Sequence, residues 1–218
     1  EAYRLSKPIT ILPLDSKEST RMENTYFAPD RERRDSRCTA QIDPYAPEDL
    51  EGIDASIIHI AGLVQGDIGS DVLRAAAKRG ALAVDVQCML RRVKPDGHMN
   101  LFDWEEKKSL LPLITYLKTD AAEAEALTGY TDREKAARTL CEWGAKEVLI
   151  THNTEALVCD GSSIHRAPLK PRSLSGRTGR GDTTFACYLG ERLRTDIPTA
   201  LLRSAALVSL KMETPGPY

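Results

Sequence analysis

From about residue 52 onward, short apolar runs alternate with segments of helical periodicity. Four of these runs have the length and continuity of strands buried on both faces of a sheet; they lie at 57–62, 81–86, 113–117 and 147–151. Helical segments follow them at 71–79, 104–111 and 121–127, and another begins at Thr131, where Glu134 completes the pattern of a capping box. This alternation predicts an α/β fold, with a three-layer, mostly parallel sheet that has helices on both faces.

The end of the chain has a different pattern. Asp160-Gly161 is a hairpin turn sequence, and the β segments 156–159 and 163–168 flank it. Two helices follow, at 182–194 and 198–212. Ligands of such sheets bind beyond the carboxyl ends of the strands, so polar residues in the loops after strands are the candidates for function.

Residues 1–50 differ from the rest because prolines interrupt two short stretches, Ile9–Leu14 and Thr20–Phe27, whose partial alternation predicts exposed strands. A run of mixed charge at 31–37 is typical of a solvated loop. We therefore expect a small β appendage over 1–50 and an α/β core over 51–218.

Composition narrows the functional classes. The 218 residues include 30 Lys and Arg against 32 Asp and Glu, so the net charge of −2 gives no reason to expect a nucleic-acid ligand. Five scattered cysteines without a CxxC pair indicate reduced thiols and a cytoplasmic protein. No apolar run has the length of a membrane span.

The segment Gly176–Thr184 has the most specific chemistry. Its closely spaced glycines, ahead of an apolar helix, expose backbone N–H groups where the helix dipole favours an anion. Asp182 would repel a phosphate that is only bound, but it could take a proton from a hydroxyl that attacks phosphorus. Two other interpretations remain: Asp182 as a helix N-cap, and Arg180-Gly181-Asp182 as an adhesion tripeptide.

The same segment resembles the carboxy-terminal D-T-x-G-A-G-D motif of the ribokinase, or PfkB, family of carbohydrate kinases. Gly179, Gly181 and Asp182 match, whereas Gly176 replaces the leading Asp and Arg180 replaces the small Ala. The resemblance implies a ribokinase-like fold, with Asp182 as catalytic base and the N–H groups of Gly179, Arg180 and Gly181 as anion hole. It also implies that Thr178 contacts ATP.

Two more segments match in order. Lys118–Gly129 resembles the family's K-P-N-E-x-E-A-x-x-L-T-G, which implies that Glu123 and Asp120 help to place magnesium indirectly; both also fit a capping box. The loop after 147–151 resembles the family's T-x-G-x-x-G and implies that Thr151 and Asn153 contact ATP, although Thr151 also fits an ordinary strand end. Asp85, just past a strand, is a weaker candidate for the substrate side, and an ordinary loop residue is the favoured alternative.

The resemblance implies transfer of a phosphoryl group from ATP, with Mg²⁺, to an alcohol of a sugar, polyol or nucleoside. It also implies that residues 1–50 form the family's β lid and residues 51–218 its nucleotide-binding and catalytic core, and it suggests a homodimer formed through that lid. The family's amino-terminal strand and sugar-binding stretch are not recognisable, so we expect an incomplete parallel sheet or a partner chain that fills the gap. Two alternatives remain: a non-catalytic nucleotide or metabolite sensor that keeps the fold, and another α/β enzyme that uses a phosphate-bearing substrate. The absence of G-x-x-x-x-G-K-[ST] excludes a P-loop kinase.

Overall fold

The central sheet is built from the buried apolar runs. The computed structural model describes residues 10–26, 34–176 and 178–216. The parallel strands are β3 (Ile57–Ile60), β4 (Ala81–Asp85), β7 (Ile114–Asp120) and β8 (Glu147–Thr151). Antiparallel β9 (Glu155–Cys159) and β10 (Ile164–Pro168) extend the sheet, giving the order β10-β9-β8-β7-β4-β3. The predicted mostly parallel sheet and the Asp160-Gly161 hairpin are thus confirmed.

Helices cover both faces of this sheet. They are α1 (Ser70–Ala77), α2 (Gln87–Leu90), α3 (Lys107–Leu110), α4 (Ala121–Thr128), α5 (Arg133–Glu142), α6 (Arg180–Arg192) and α7 (Ile197–Lys211). Because side chains alternate along a strand, Leu82 and Val84 pack into a core with α1 and α3–α5, whereas Ala83 packs against α6 and α7. The three-layer arrangement is as predicted.

Two small antiparallel sheets accompany the central one. One pairs β1 (Arg21–Tyr26) with β2 (Arg34–Ala40), and the other pairs β5 (Arg91–Val93) with β6 (Met99–Leu101). The prediction of a solvated loop was wrong for 34–37, because the pairing with β1 and the burial of Cys38 and Ala40 make this charged segment part of a strand. Residues 10–14 form no strand, contrary to prediction. Ile9, Phe27 and 31–33 lie outside the described residues.

The starts of α5 and α6 are among the helix termini that differ from the prediction. The N-cap of α5 is Asp132, whose Oδ1 accepts from the N–H groups of Glu134 and Lys135, so the Thr131 capping box is wrong. Helix α6 begins at Arg180, two residues earlier than expected.

At the edge of the sheet, β3 has β4 on one side and no strand among the described residues on the other. None of the helices in these ranges has both the length and the apolar character needed to cross a membrane.

Candidate active site

Three of the predicted polar residues end neighbouring parallel strands. Asp85 is the last residue of β4, Asp120 of β7 and Thr151 of β8. The register of the sheet places Asp85 beside Lys118 and Asp120 beside Thr151. Since the carboxyl ends of parallel strands meet at one edge, the fold gathers these side chains where α/β proteins bind ligands.

A buried ion pair lies at the centre of this edge. The Nζ of Lys118 donates to Oδ2 of Asp85 over 2.9 Å, and the two residues are 4% and 2% exposed. Burial raises the pKa of Asp85, and Lys118 opposes that rise only in part. Burial by itself would lower the pKa of Lys118, but the carboxylates of Glu123 and Asp85 raise it above the ordinary value. The lysine is therefore held charged inside the protein.

The capping box at the start of α4 is confirmed. The N–H of Glu123 donates to Oδ1 of Asp120 over 2.8 Å, and Oε2 of Glu123 accepts from the N–H of Asp120 over 2.9 Å. The other oxygen, Oε1, accepts from Nη2 of Arg91 over 3.0 Å. Burial alone would raise the pKa of Glu123, but Lys118 and Arg91 lower it below the ordinary value. Protein groups thus occupy both carboxylate oxygens of Glu123.

The glycine-rich segment forms the amino terminus of α6. Gly179 is the N-cap, with the left-handed backbone φ of 83°, so Asp182 is the third residue of the helix and not its cap. Its carboxylate is exposed. A Cβ placed on Gly181 would lie 3.0 Å from Nζ of Lys118, so the buried lysine lies directly against the backbone of this turn.

Arg180 joins the first turn of α6 to the loop after β8. Its Nη1 donates to Oδ1 of Asn153 over 2.5 Å. Thr151, in contrast, is 3% exposed, and its hydroxyl donates to the carbonyl of Thr119 over 3.5 Å. Thr178 lies in the turn before α6, where its carbonyl accepts from Nζ of Lys211. All the predicted site residues therefore lie at the same edge of the sheet, but Asp85, Glu123 and Thr151 are buried there.

The sequence matches a known protein family over most of its length. Residues 25–218 match the model described as "pfkB family carbohydrate kinase". The chain belongs to the pfkB family of carbohydrate kinases. The family and the fold agree with the resemblance identified in the sequence.

Solved structures of ribokinase-family kinases share this fold. One is described as a "pyrophosphate-dependent kinase in the ribokinase family complexed with a pyrophosphate analog and myo-inositol"; it is 33% identical, with a TM-score of 0.87, over 94% of this chain and 72% of its own. Ribokinase of Arabidopsis thaliana complexed with ribose and ATP is 20% identical, with a TM-score of 0.64, over 84% of this chain and 60% of its own, which shows the fold alone.

Among curated proteins, the "Cytidine kinase" of Thermococcus kodakarensis is 41% identical over 70 residues. The alignment covers 31% of this chain and 25% of that kinase. This chain therefore spans only part of the length of its curated relative.

Four residues at this edge were not among the sequence predictions for the pfkB-type site. Lys211 and Arg91 reach the site from distant parts of the chain, whereas Lys118 lies in β7, two residues before Asp120. His59 packs edge-on against Phe185 with ring centroids 4.8 Å apart. Packing against protein lowers the pKa of His59, although the Asp182 carboxylate opposes this shift. The sequence held only one indication of any of them, since Lys118 begins the segment that matches the family motif.

Proposed function

We propose that the protein transfers the terminal phosphoryl group of ATP to an alcohol of a sugar, polyol or nucleoside. The observation that supports this function best is the exposed Asp182 carboxylate in the first turn of α6, directly after the left-handed Gly179. A base and an anion-binding helix terminus then lie in the same turn, which is what transfer from a phosphate to a hydroxyl requires.

In the proposed reaction, Asp182 accepts the proton of the acceptor hydroxyl. The acceptor oxygen forms a bond to the terminal phosphorus, the bond from phosphorus to the bridging oxygen breaks, and ADP leaves with that electron pair. The N–H groups of Gly179, Arg180 and Gly181 face the charge on the transferred group, because the first N–H groups of a helix have no partner within it. Asp182 then returns its proton to solvent.

Magnesium fits this site only indirectly. Both oxygens of Glu123 accept hydrogen bonds from protein groups, and the described residues contain no cluster of three or more His, Cys, Asp or Glu side chains that could hold a metal ion. Asp120 is half-buried, and burial together with Glu123 raises the pKa of its carboxyl. We infer that Asp120 would orient water around Mg²⁺, which would offset the charge of the donor phosphates when bound.

Pyrophosphate is a second candidate donor. The relative at 33% identity is described as pyrophosphate-dependent and complexed with myo-inositol. In this chain Arg180 stands where the family motif has a small residue, and its guanidinium bonds to Asn153 in the loop expected to contact the nucleotide. A cation in that position suits a compact, highly charged donor as well as it suits ATP.

The test follows ³¹P NMR signals with ATP and Mg²⁺, or with pyrophosphate and Mg²⁺, against ribose, myo-inositol and cytidine as acceptors. Formation of a phosphate monoester with ADP supports ATP as donor, and formation with inorganic phosphate supports pyrophosphate. Asp182→Asn should keep donor binding and lose about 10²–10⁴-fold in turnover. Wild-type turnover in that variant would refute the role of Asp182, and donor binding without any monoester would favour the sensor alternative.

A further inference from the structure

Lys211 is a buried lysine at the end of α7 that reaches the turn before α6. It is 3% exposed, and its Nζ donates to the carbonyl of Gly176 over 2.6 Å and to the carbonyl of Thr178 over 2.5 Å. Nζ also lies 4.0 Å from the position that a Cβ on Gly179 would take. No ion pair within the described ranges joins Lys211 to a carboxylate, so the backbone carbonyls are the groups that this ammonium engages.

Other contacts hold the same turn to the end of α7. The N–H of Gly176 donates to the carbonyl of Met212 over 2.7 Å, and the hydroxyl of Ser175 donates to the carbonyl of Glu213 over 2.6 Å. A Cβ on Gly176 would lie 1.9 Å from the carbonyl oxygen of Thr214. This close approach explains why glycine stands where the family motif begins with Asp.

The geometry of the peptide bond links Lys211 to the anion hole. In a trans peptide the N–H of one residue points away from the carbonyl of the residue before it. Because Lys211 draws the carbonyl of Thr178 toward α7, the N–H of Gly179 must point to the opposite side, away from α7. That N–H is one of the donors proposed to face the transferred phosphoryl group.

We propose that Lys211 is a positioning residue, which holds the Thr178–Gly179 peptide so that the Gly179 N–H faces the phosphoryl group. The catalytic effect of this contact rests on the proposed function, whereas the contact itself does not. A neutral side chain at 211 would leave the two carbonyls without a cationic donor, and the peptide could rotate. The ammonium also brings a positive charge close to the anion-binding turn.

The test compares Lys211→Met with Lys170→Met, which removes an exposed charge from the segment leading to the same turn. Hydrogen–deuterium exchange without substrate should rise about 10- to 100-fold in Lys211→Met for the hydrogen-bonded amides at the two ends of the turn, Gly176 and Thr183, which donate to the carbonyls of Met212 and Gly179. Peptides from β8 should exchange as in the wild type, and Lys170→Met should change neither region.

Turnover gives the second readout. With whichever donor the wild type uses, Lys211→Met should lower kcat about 10- to 100-fold, with the KM for the acceptor unchanged, as expected for a misplaced anion-hole donor. If Lys211→Met does not fold, Lys211→Arg serves instead; it should keep the slow exchange, because guanidinium can donate to both carbonyls. Faster exchange in a folded Lys211→Arg, or unchanged exchange in Lys211→Met, overturns the proposal.

The two hypotheses fail separately. A wild type that makes no phosphate monoester while Lys211→Met shows the exchange change refutes the proposed function and leaves the contact intact. A wild type that makes the product while Lys211→Met has normal kcat and normal exchange refutes the role of Lys211 alone.

Discussion

Removing the charge of Lys118 should destabilise the protein in a pH-dependent way. Lys118→Met leaves the carboxylate of Asp85, which is 2% exposed, without the ammonium that lies 2.9 Å away. Breaking a buried ion pair by removing one partner costs about 3–5 kcal/mol, because an uncompensated charge stays in the interior. Glu123 keeps Arg91 as its partner, so Asp85 accounts for most of the loss.

The sign of the pH dependence follows from Asp85. Burial already raises its pKa in the wild type, and removing Lys118 removes the main opposing effect, so the pKa rises further in the variant. Between the ordinary pKa of an unfolded Asp, about 3.9, and the raised folded value, the native state binds more protons than the unfolded state. The stability of the variant relative to wild type must therefore increase as pH falls from 8 to 5.5.

The assay is urea unfolding followed by circular dichroism at pH 8 and at pH 5.5. Wild type is measured at both values to correct for general pH effects, and Lys118→Met/Asp85→Asn serves as the matched control. We expect the double variant to recover most of the stability lost at pH 8 and to show little extra change with pH. A loss of stability in Lys118→Met that is equal at both pH values would refute the reasoning.

Two further predictions concern the same edge of the sheet. Gly181→Ala places a Cβ 3.0 Å from Nζ of Lys118 and should lower turnover. Gly190→Ala, on the same helix with no atom within 4 Å of its Cβ, should keep turnover and add about 0.5–1 kcal/mol of stability, measured by urea unfolding. Equal turnover in both variants would contradict the close contact. Glu123→Gln removes the carboxylate that Arg91 and the N–H of Asp120 bond to, so it should cost about 1–3 kcal/mol in urea unfolding, and an unchanged unfolding midpoint would argue against the buried pair.

Local chemistry made part of the site predictable. The capping box of Asp120 and Glu123 needs residues three positions apart, and the glycine-rich turn needs left-handed backbone at Gly179, so both can be read from a few adjacent residues. The ion pair between Glu123 and Arg91 could not be predicted in this way. Arg91 lies 32 residues earlier, and only the folding of β5 beside α4 brings it to the carboxylate.

The charged segment at 34–37, which lies in β2, shows the opposite case. Its composition is typical of a solvated loop, yet β2 pairs along β1 and its inward residues, Cys38 and Ala40, are buried. Cross-strand hydrogen bonds depend on a partner strand and not on the composition of the segment itself, so a charge count could not predict the strand.

By itself the sequence determined the α/β architecture, because continuous apolar runs separated by helical periodicity can bury their side chains only in a sheet with helices on both faces. It also determined where the glycine-Asp turn lies, and through that turn the family. Only the tertiary structure decided the electrostatics of the site. The partners of Lys118 and Lys211 lie 33 and 35 residues away along the chain. A buried charge takes its energy from whatever the fold places within a few ångströms of it, and spacing along the chain does not encode that distance.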